Sequence, residues 1–360
     1  MGYRVEVLEV DRPHNEWDSF VQTSTHGDLV QTSIWGLSKL SIGQMPLLIM
    51  LRDKEDSIVS GMLMIERQLG SRMRMGYVAR GPLARSDDLS ILSAAIEAAA
   101  TCMRRRKQSG LIVQLSEGSE IRSKVLEQAG FTYGSLAVTT EATIRVDLTQ
   151  NEESILGAMT SMRRRNVRKA MKQGFEIEHS SDVETFHGLH LATSSRKRFS
   201  GLSLEYLKAQ WQALAPSGHV TILLARYQGE AMAALWLSHF GDIVTFRLAG
   251  WNAAVAGPAH VNEALHWTAI QWARSVGARV YDFGGFDRDS AERVLNGRPL
   301  APDFEKSHNF FKLGFNRLPT LLPKAHFLVA NRIVNRVAHW LGPMLLQSPQ
   351  ARMIAQRLRN

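Results

Sequence analysis

The sequence repeats one order of strand and helix patterns in its two halves. In each half, short apolar runs separated by turns lead into a helix with 3.6-residue spacing and then a further apolar run. The segments are Leu47–Leu51, Ile58–Glu66, Met73–Val78, Leu89–Arg106 and Leu111–Leu115 in the first half, and Val220–Ala225, Ala231–Phe240, Ile243–Leu248, Asn262–Ser275 and Arg279–Phe283 in the second. Apolar runs around tight turns are typical of hairpin strands. The repeat therefore predicts two units of one kind.

Each half is a β-meander that feeds a helix and one more strand, so the predicted fold class is mixed α/β (α+β) with two tandem domains. The order resembles the acyl-CoA N-acyltransferase (GNAT) fold. In that fold the acyl donor sits where two central strands splay apart. This is a likeness of fold and does not by itself fix the function.

A helix start between the halves suggests where they divide. Residues Thr149–Glu152 have the spacing of a capping box, and the pattern predicts a helix from Ser154 to about Lys172 that ends at Gly174. Because the strand Thr143–Asp147 comes just before this helix, we place the boundary near Asp147.

The balance of charge favours polyanionic partners. The chain carries 43 Lys and Arg against 34 Asp and Glu, a net charge of +9. Nucleic acid, nucleotide phosphates or an anionic membrane would suit such a surface, and a surface kept soluble by excess charge is the alternative. The single cysteine, Cys102, excludes an internal disulfide, and the first residues lack the pattern of a signal peptide. We expect a cytoplasmic protein.

One predicted helix concentrates the positive charge. The segment Ser161–Lys172 places four cations on one face at helical spacing: Arg165, Arg168, Lys169 and Lys172. A separate apolar stripe contains Ile155, Met159 and Met162. Cations of one sign on one face favour phosphate contacts, while a solvated helix face is the alternative.

Five segments, in order along the chain, resemble the motifs of the Fem family of aminoacyl-tRNA-dependent transferases. They are Gln31–Trp35 with Lys39, Arg80-Gly81-Pro82, the stretch from Met162 to Gly174 that reads MRRRNVRKAMKQG, Tyr281–Gly285, and Phe310–Phe315. Each motif alone is weak, but the ordered set covers nearly all of the chain.

The resemblance implies two GNAT-like domains around a shared cleft, with residues 1–147 plus about 318–360 in the first and 148–317 in the second. It implies transfer of an amino acid from aminoacyl-tRNA, as co-substrate, to the stem peptide of a peptidoglycan precursor, with no cofactor. Family members hold the phosphates of the precursor with Lys and Arg. On that basis, the residues expected to bind substrate or phosphate are Lys39, Trp35, Arg80, Arg196 and Arg198, and those expected to bind tRNA are Arg165, Arg168, Lys169 and Lys172.

The implied reaction is aminolysis of an ester. Because the ester is already activated, positioning of the reactants supplies much of the acceleration, and a cation near the tetrahedral oxyanion supplies more. The resemblance assigns this cation to Lys312, with Phe311 packed beside it. Asp282 follows a strand and precedes two glycines, so it is either a base for the attacking amine or a cap of the turn.

Several alternatives stay open at this point. The stretch Gln114–Glu117 lacks the "D-P" that many Fem proteins carry near the acceptor peptide, so the acceptor could instead be a small-molecule amine. An acyl-CoA or acyl-carrier N-acyltransferase is a further alternative, although the one match to the coenzyme A motif, Arg226–Ala231, reads better as a hairpin. A non-catalytic RNA- or membrane-binding module would explain the charge alone. The histidines are too scattered to predict a metal site.

The end of the chain has an amphipathic pattern. Residues 327–341 place Ala330, Ile333 and Val337 on one face and Arg332 and Arg336 on the other. Such a helix either packs on the core or lies on an anionic membrane as a peripheral contact.

Overall fold

The computed structural model describes residues 2–70, 73–134, 139–197, 199–254, 259–331 and 335. The chain divides into two compact units, Met1–Thr139 with Leu322–Asn360, and Thr140–Leu321. Each unit contains one mixed sheet with helices, which confirms the predicted α/β class.

The first unit contains a sheet with strand order β1-β2-β3-β4-β6-β15-β7, and β5 pairs with β3. Its elements are β1 (Arg4–Glu9), α1 (Asn15–Thr23), α2 (Ser33–Leu40), β2 (Met45–Arg52), β3 (Ile58–Leu69), β4 (Met73–Ala79), β5 (Leu83–Ala84), α3 (Leu89–Arg105), β6 (Gly110–Gln114), α4 (Glu120–Gln128), β7 (Thr132–Gly134) and the returning strand β15 (Ala325–Val329). Alanines and Cys102 of α3 pack on one sheet face with Leu47, Met62 and Leu111, so Cys102 is a core residue.

The second unit has strand order β14-β8-β13-β12-β11-β10-β9. Its elements are β8 (Ala142–Asp147), α5 (Glu152–Ala158), α6 (Ser161–Ala170), β9 (Glu176–Ser180), α7 (Val183–Lys197), α8 (Leu204–Leu214), β10 (Val220–Tyr227), β11 (Glu230–Phe240), β12 (Ile243–Trp251), α9 (Val261–Ser275), β13 (Val280–Gly285), α10 (Arg288–Leu295), α11 (His308–Leu313) and β14 (Pro319–Leu321). The antiparallel meander β10-β11-β12, helix α9 and parallel strand β13 reproduce the predicted order.

The predicted boundary near Asp147 is placed too late. Strand β8 pairs with β13 and β14 of the second sheet rather than closing the first domain. A short strand looks the same in sequence whichever sheet it joins, because its partners lie far along the chain. At the other end, β15 returns to the first sheet between β6 and β7.

The predicted helix from Ser154 to Lys172 is two helices. Helix α5 ends at Ala158 and α6 begins at Ser161, because the Thr160 hydroxyl caps α6 by accepting from the Arg163 amide at 3.3 Å. The Thr160 amide also donates to the Gly314 carbonyl at 2.9 Å. The first cap differs as well, since Asn151 rather than Thr149 accepts from the Ser154 amide. A mid-segment threonine thus acts as a cap, which helical spacing alone cannot reveal.

The amphipathic helix predicted for residues 327–341 is wrong at its start. Phe327, Leu328 and Val329 belong to β15, where Phe327 is buried between two neighbouring strands. Its remaining residues, except 330, 331 and 335, lie outside the described part of the chain. Within the described residues, no helix has the length and apolar character needed to cross a bilayer.

Candidate active site in the second unit

The parallel strands β12 and β13 separate after three residue pairs. Residues 243–245 of β12 pair with 280–282 of β13, and beyond them β12 continues beside β11 while β13 follows β8. Gly284 has a φ of 65°, and a Cβ there would lie 2.6 Å from the carbonyl oxygen of Phe246. Only glycine fits where the two strands diverge. This is the kind of opening that the predicted fold uses for its donor.

Lys312 lies beside this opening. The residue is 8 % exposed, and its Nζ donates to the carbonyl oxygen of Gly285 at 2.6 Å and lies 5.5 Å from the ring centre of Phe246. Burial lowers the pKa of Lys312 to about 8. The negative charge of Asp282 opposes this lowering, and the positive charge of Lys197 adds to it. A lysine with this pKa is mostly cationic at neutral pH and also holds a substantial neutral fraction. It can therefore stabilise a developing negative charge or exchange a proton.

Asp282 holds the turn that carries the Lys312 acceptor. One carboxylate oxygen accepts from the Gly284 amide at 2.7 Å and from the Thr143 hydroxyl, and the other accepts from Arg145 Nε at 3.0 Å. Because both oxygens are occupied, the geometry favours the turn-capping interpretation over a free general base. Asp282 acts on Lys312 through charge and through the position of Gly285.

Phe311 is held by a buried arginine that the sequence motifs did not single out. The Arg163 guanidinium lies 4.1 Å from the ring centre of Phe311 and pairs with the carboxylate of Glu263. Both charged residues are less than one-tenth exposed. Of the apolar stripe predicted from the sequence, Ile155 and Met159 are buried, but Met162 is 37 % exposed. Glu263, the one glutamate of α9, lies among mostly apolar residues in the sequence, and this was the available signal for a buried ion pair.

A buried histidine completes the aromatic surroundings. His266 Nδ1 lies 2.8 Å from the Tyr281 hydroxyl, and its ring lies 4.8 Å from Phe283 and 5.4 Å from Phe311. Burial lowers the pKa of His266 well below its ordinary value, and the nearby positive charges of Lys312 and Arg163 lower it further. This histidine is neutral and is surrounded by packed rings, so it supports Phe311 rather than titrating near neutral pH.

The four predicted RNA-binding cations point to solvent. Arg165, Arg168 and Lys169 are exposed on α6, and Lys172 is exposed in the turn just after it. None of the four forms an ion pair with a residue that the structure describes. On the same helix, Arg163 and Val167 face the core, so α6 has one buried and one cationic side.

In the first unit, the predicted tryptophan and lysine lie together on α2. Trp35 and Lys39 are each less than one-tenth exposed, and Lys39 Nζ lies 4.6 Å from the Trp35 ring centre. Gln31 braces this helix to the sheet, since its side chain donates to the Ala79 carbonyl at 2.6 Å and accepts from the Leu63 amide at 2.9 Å. The glutamine of the motif is therefore structural.

The other predicted phosphate-binding residues differ in their surroundings. Arg80 is 8 % exposed and has a φ of 58°, and its Nη1 donates to the Leu115 carbonyl at 3.4 Å, so its side chain supports a turn inside the first unit. Arg196, in the second unit, is exposed with its guanidinium 3.9 Å from the Trp251 ring centre. Arg198 lies outside the described residues. In the described part of the chain, no group of three His, Cys, Asp or Glu residues is arranged to hold a metal ion.

Comparison with known proteins defines the class of fold. Residues 161–292 match the family model of the acetyltransferase (GNAT) domain. A crystal structure of FemX superposes with a TM-score of 0.77 over 93 % of this chain and 100 % of its own, at 16 % identity. A tandem GNAT protein from the clavulanic acid biosynthesis pathway superposes with a TM-score of 0.52 over 91 % of this chain and 99 % of its own, at 10 % identity. The tandem GNAT fold predicted from the sequence is thereby confirmed.

Proteins that are similar in sequence point to a narrower class of protein than the fold does. The chain is 23 % identical over 224 residues to a lipid II:glycine glycyltransferase of Staphylococcus saprophyticus, covering 59 % of this chain and 54 % of the relative. It is 22 % identical over 227 residues to the protein of the same name in Staphylococcus epidermidis, covering 60 % and 55 %. The chain spans about half the length of these curated relatives. The predicted resemblance to the Fem family is confirmed.

Proposed function

We propose that this protein is an aminoacyltransferase that moves an amino acid from aminoacyl-tRNA to an amine in the stem peptide of a peptidoglycan precursor. The observation that carries the proposal is the buried Lys312 beside the opening between β12 and β13. The similarity to glycyltransferases whose names specify lipid II supports this acceptor. The exposed cations of α6 support an RNA donor.

The reaction follows from ester aminolysis. The acceptor amine attacks the ester carbonyl, so a C–N bond forms and the carbonyl oxygen becomes an oxyanion. The C–O bond to the ribose then breaks, the amine loses a proton, and the ribose oxygen gains one. The cationic form of Lys312 stabilises the oxyanion or supplies the proton to the leaving oxygen. Phe311, held by Arg163, gives the reacting groups a fixed apolar wall.

The remaining residues are assigned to binding. Lys39 and Trp35 in the first unit are proposed to bind the phosphates of the precursor. For Arg196 and Arg198 in the second unit, phosphate binding stays a prediction. Arg165, Arg168, Lys169 and Lys172 are proposed to contact the tRNA backbone. Arg80 and Asp282 support turns that carry other groups, and neither is assigned direct contact with a substrate.

The proposal is tested by supplying the protein with labelled aminoacyl-tRNAs and a muramyl-pentapeptide acceptor, either nucleotide-linked or lipid-linked. We expect label to appear in the peptide with at least one charged tRNA. Transfer only to small amines would support the small-molecule alternative, and no transfer from any charged tRNA would refute the proposal.

A coenzyme A donor is the second candidate, favoured by the match to the acetyltransferase domain model. Against it, Arg226–Ala231, which matches the coenzyme A motif, lies in the β10–β11 hairpin, where Gln228 and Gly229 have φ of 51° and 82°. The motif is therefore a turn and does not open a helix that could cradle a pyrophosphate. A melting shift with coenzyme A and none with tRNA would favour this second candidate.

A further inference from the structure

Ester aminolysis needs a group that takes up the proton of the attacking amine, and neither Asp282 nor Lys312 is suited to that step. Both carboxylate oxygens of Asp282 are occupied, one by the Gly284 amide at 2.7 Å and the other by Arg145 Nε at 3.0 Å. Lys312 acts as the cation, so it does not accept a proton while the amine attacks. A neutral group with a free lone pair close to Lys312 would suit this step.

His308 lies one helical turn before Lys312 on α11. Residues four apart on a helix share one face, with Cβ atoms about 5–6 Å apart, so the two side chains leave α11 on the same side. The segment that follows β13 runs along this helix. Its Gly285 carbonyl accepts from Lys312 Nζ at 2.6 Å, and two residues further on the Asp287 amide donates to the Asn309 side chain at 3.4 Å. His308 therefore lies beside the same opening as Lys312.

Charged groups from three elements lie near the His308 ring. Lys312 belongs to α11, Lys197 is the last residue of α7, and Asp287 precedes α10. The pKa of His308 is lowered to about 4, mainly because the surrounding protein removes water from part of the ring. The two lysine charges add to this lowering, and the Asp287 carboxylate opposes it. His308 is therefore neutral at pH 7, and one of its ring nitrogens is a proton acceptor.

The His308 ring is also open to a substrate. The residue is exposed, and neither ring nitrogen forms a hydrogen bond with any residue that the structure describes. Other histidines of this unit are engaged. His190 Nδ1 lies 3.0 Å from the Ala249 carbonyl oxygen. His266 Nδ1 lies 2.8 Å from the Tyr281 hydroxyl. Because the His308 lone pair is not committed to such a partner, it can accept a proton from a bound amine.

We propose that His308 takes the proton of the attacking amine and passes it to Lys312. The amine attacks the ester carbonyl, a C–N bond forms, and the nitrogen gives its proton to the His308 ring. The C–O bond to the ribose breaks as Lys312 gives a proton to the leaving oxygen. The imidazolium of His308 then returns a proton to Lys312. Both residues end as they began, and one proton has moved from the amine to the ribose.

The charges of the two residues favour this order of steps. While Lys312 is cationic, a proton on His308 is disfavoured by the like charge one turn away. Once Lys312 has given its proton to the leaving oxygen, that repulsion is gone and the pKa of His308 rises. The proton then passes to Lys312, whose own pKa of about 8 is higher. The inference rests on the proposed function, since it assigns a residue to that transfer.

Steady-state transfer kinetics test the role of His308. His308→Ala should lower kcat by roughly 10²- to 10⁴-fold, the range for one positioned acid or base, and leave the KM for the acceptor unchanged. His239→Ala is the matched control and should keep the wild-type kcat, because His239 pairs with Val244, where β12 and β13 are still together. Normal transfer by His308→Ala would refute the role of His308 alone. No transfer by the wild type from any charged tRNA would refute the proposed function, and this role with it.

Added imidazole separates a base from a residue that only supports the fold. It should restore part of kcat to His308→Ala and none to Lys312→Met, after the rate without protein is subtracted. If His308→Ala melts at a lower temperature than the wild type, His308→Asn takes its place, because asparagine keeps polar atoms but takes up no proton. A loss of kcat that imidazole does not reverse in a variant of wild-type stability would overturn the proposal.

An NMR titration measures the coupling between the two residues without any substrate. The His308 signal is assigned by its loss in His308→Ala. Its pKa should rise in Lys312→Met, because a like charge is removed, and should change less in Lys306→Met. The same His308 pKa in the wild type and in Lys312→Met would show that the two side chains are too far apart to exchange a proton, which would overturn the proposal.

Discussion

The two units share a topology but differ at their parallel strands. In the first unit, β4 and β6 stay paired from Met75 to Ala79, so no opening forms there. In the second unit, β12 and β13 part after three pairs and Lys312 lies beside the gap. The same meander thus opens in one unit and stays paired in the other. The open copy holds Lys312, which is proposed to act in transfer, and the other copy holds Lys39, which is proposed to bind phosphate.

The largest expected effect is on the free energy of unfolding. The test compares removal of a buried carboxylate in the second unit with removal of an exposed one in the first. Glu263→Ala leaves Arg163 buried without its partner, which we expect to lower the free energy of unfolding by about 3–5 kcal/mol. Glu9→Ala removes a 56 % exposed partner of Arg106, which keeps its second carboxylate partner Glu66, and about 1 kcal/mol or less is expected. Urea denaturation followed by circular dichroism measures both. Equal effects would contradict the described burial of the Arg163–Glu263 pair.

The second prediction separates chemistry from anchoring. Lys312→Met should lower kcat by roughly 10²- to 10³-fold, the range for removal of one oxyanion-stabilising group. Lys39→Met should instead raise the KM for the acceptor and spare kcat. Lys306→Met is the control, because Lys306 is exposed a few residues before Lys312. Steady-state transfer kinetics distinguish the outcomes. A lower kcat in Lys39→Met would contradict the proposed division of roles, in which the second unit performs the chemistry and the first binds the acceptor.

The third prediction concerns pH. Since burial lowers the pKa of Lys312 to about 8, its cationic fraction declines as pH rises through that value, and kcat should fall on the alkaline side. Lys312→Arg should move that fall to higher pH while keeping some activity. A pH–rate profile measured at saturating substrates provides the test, and an alkaline limb that is identical in both proteins would exclude Lys312 as its source.

The same shift has a consequence for stability. Between about pH 8 and about pH 10 the unfolded chain keeps this lysine protonated while the folded protein does not, so unfolding takes up a proton and stability rises with pH across that window. Lys312→Met removes this dependence. Melting temperatures at pH 7 and pH 9.5, corrected for the shared background with Lys306→Met, measure the difference. A stability that does not depend on Lys312 across this window would mean that its pKa is not lowered.

The smallest expected effect concerns the exposed charges of α6. Replacing Arg165, Arg168 and Lys169 with glutamine should reduce the dependence of log Kd on log salt by about 0.7–0.9 for each phosphate that is no longer neutralised. The control replaces Arg12, Lys54 and Lys124, three exposed cations of the first unit. Fluorescence anisotropy with labelled tRNA gives both slopes, and equal slopes would show that charge alone, without location, governs RNA binding.

Periodicity and turn signals were sufficient to predict the duplicated fold from the sequence. They located the two meanders and the helices α3 and α9 because each element has its own hydrophobic repeat. They misplaced β8, whose partners β13 and β14 lie more than a hundred residues away. Pairing at that distance leaves no local trace in a short strand.

The candidate site was predictable in part. The motifs predicted Lys312 and Phe311, because a family resemblance indicates which positions in the chain hold functional residues as well as their types. Arg163 was not predicted, since it lies within a run of similar arginines and only the packing of α6 shows which one turns inward.

The close approach of Arg163 and Gly314 couples two positions that lie far apart in the sequence. A Cβ at Gly314 would lie 2.9 Å from Arg163 Nε, so a larger residue at position 314 requires a shorter one at position 163. Related chains that carry alanine or serine at the position of Gly314 should therefore lack arginine at the position of Arg163. Such paired replacements would also remove the guanidinium that packs against the Phe311 ring, so those chains should hold the corresponding ring by other contacts.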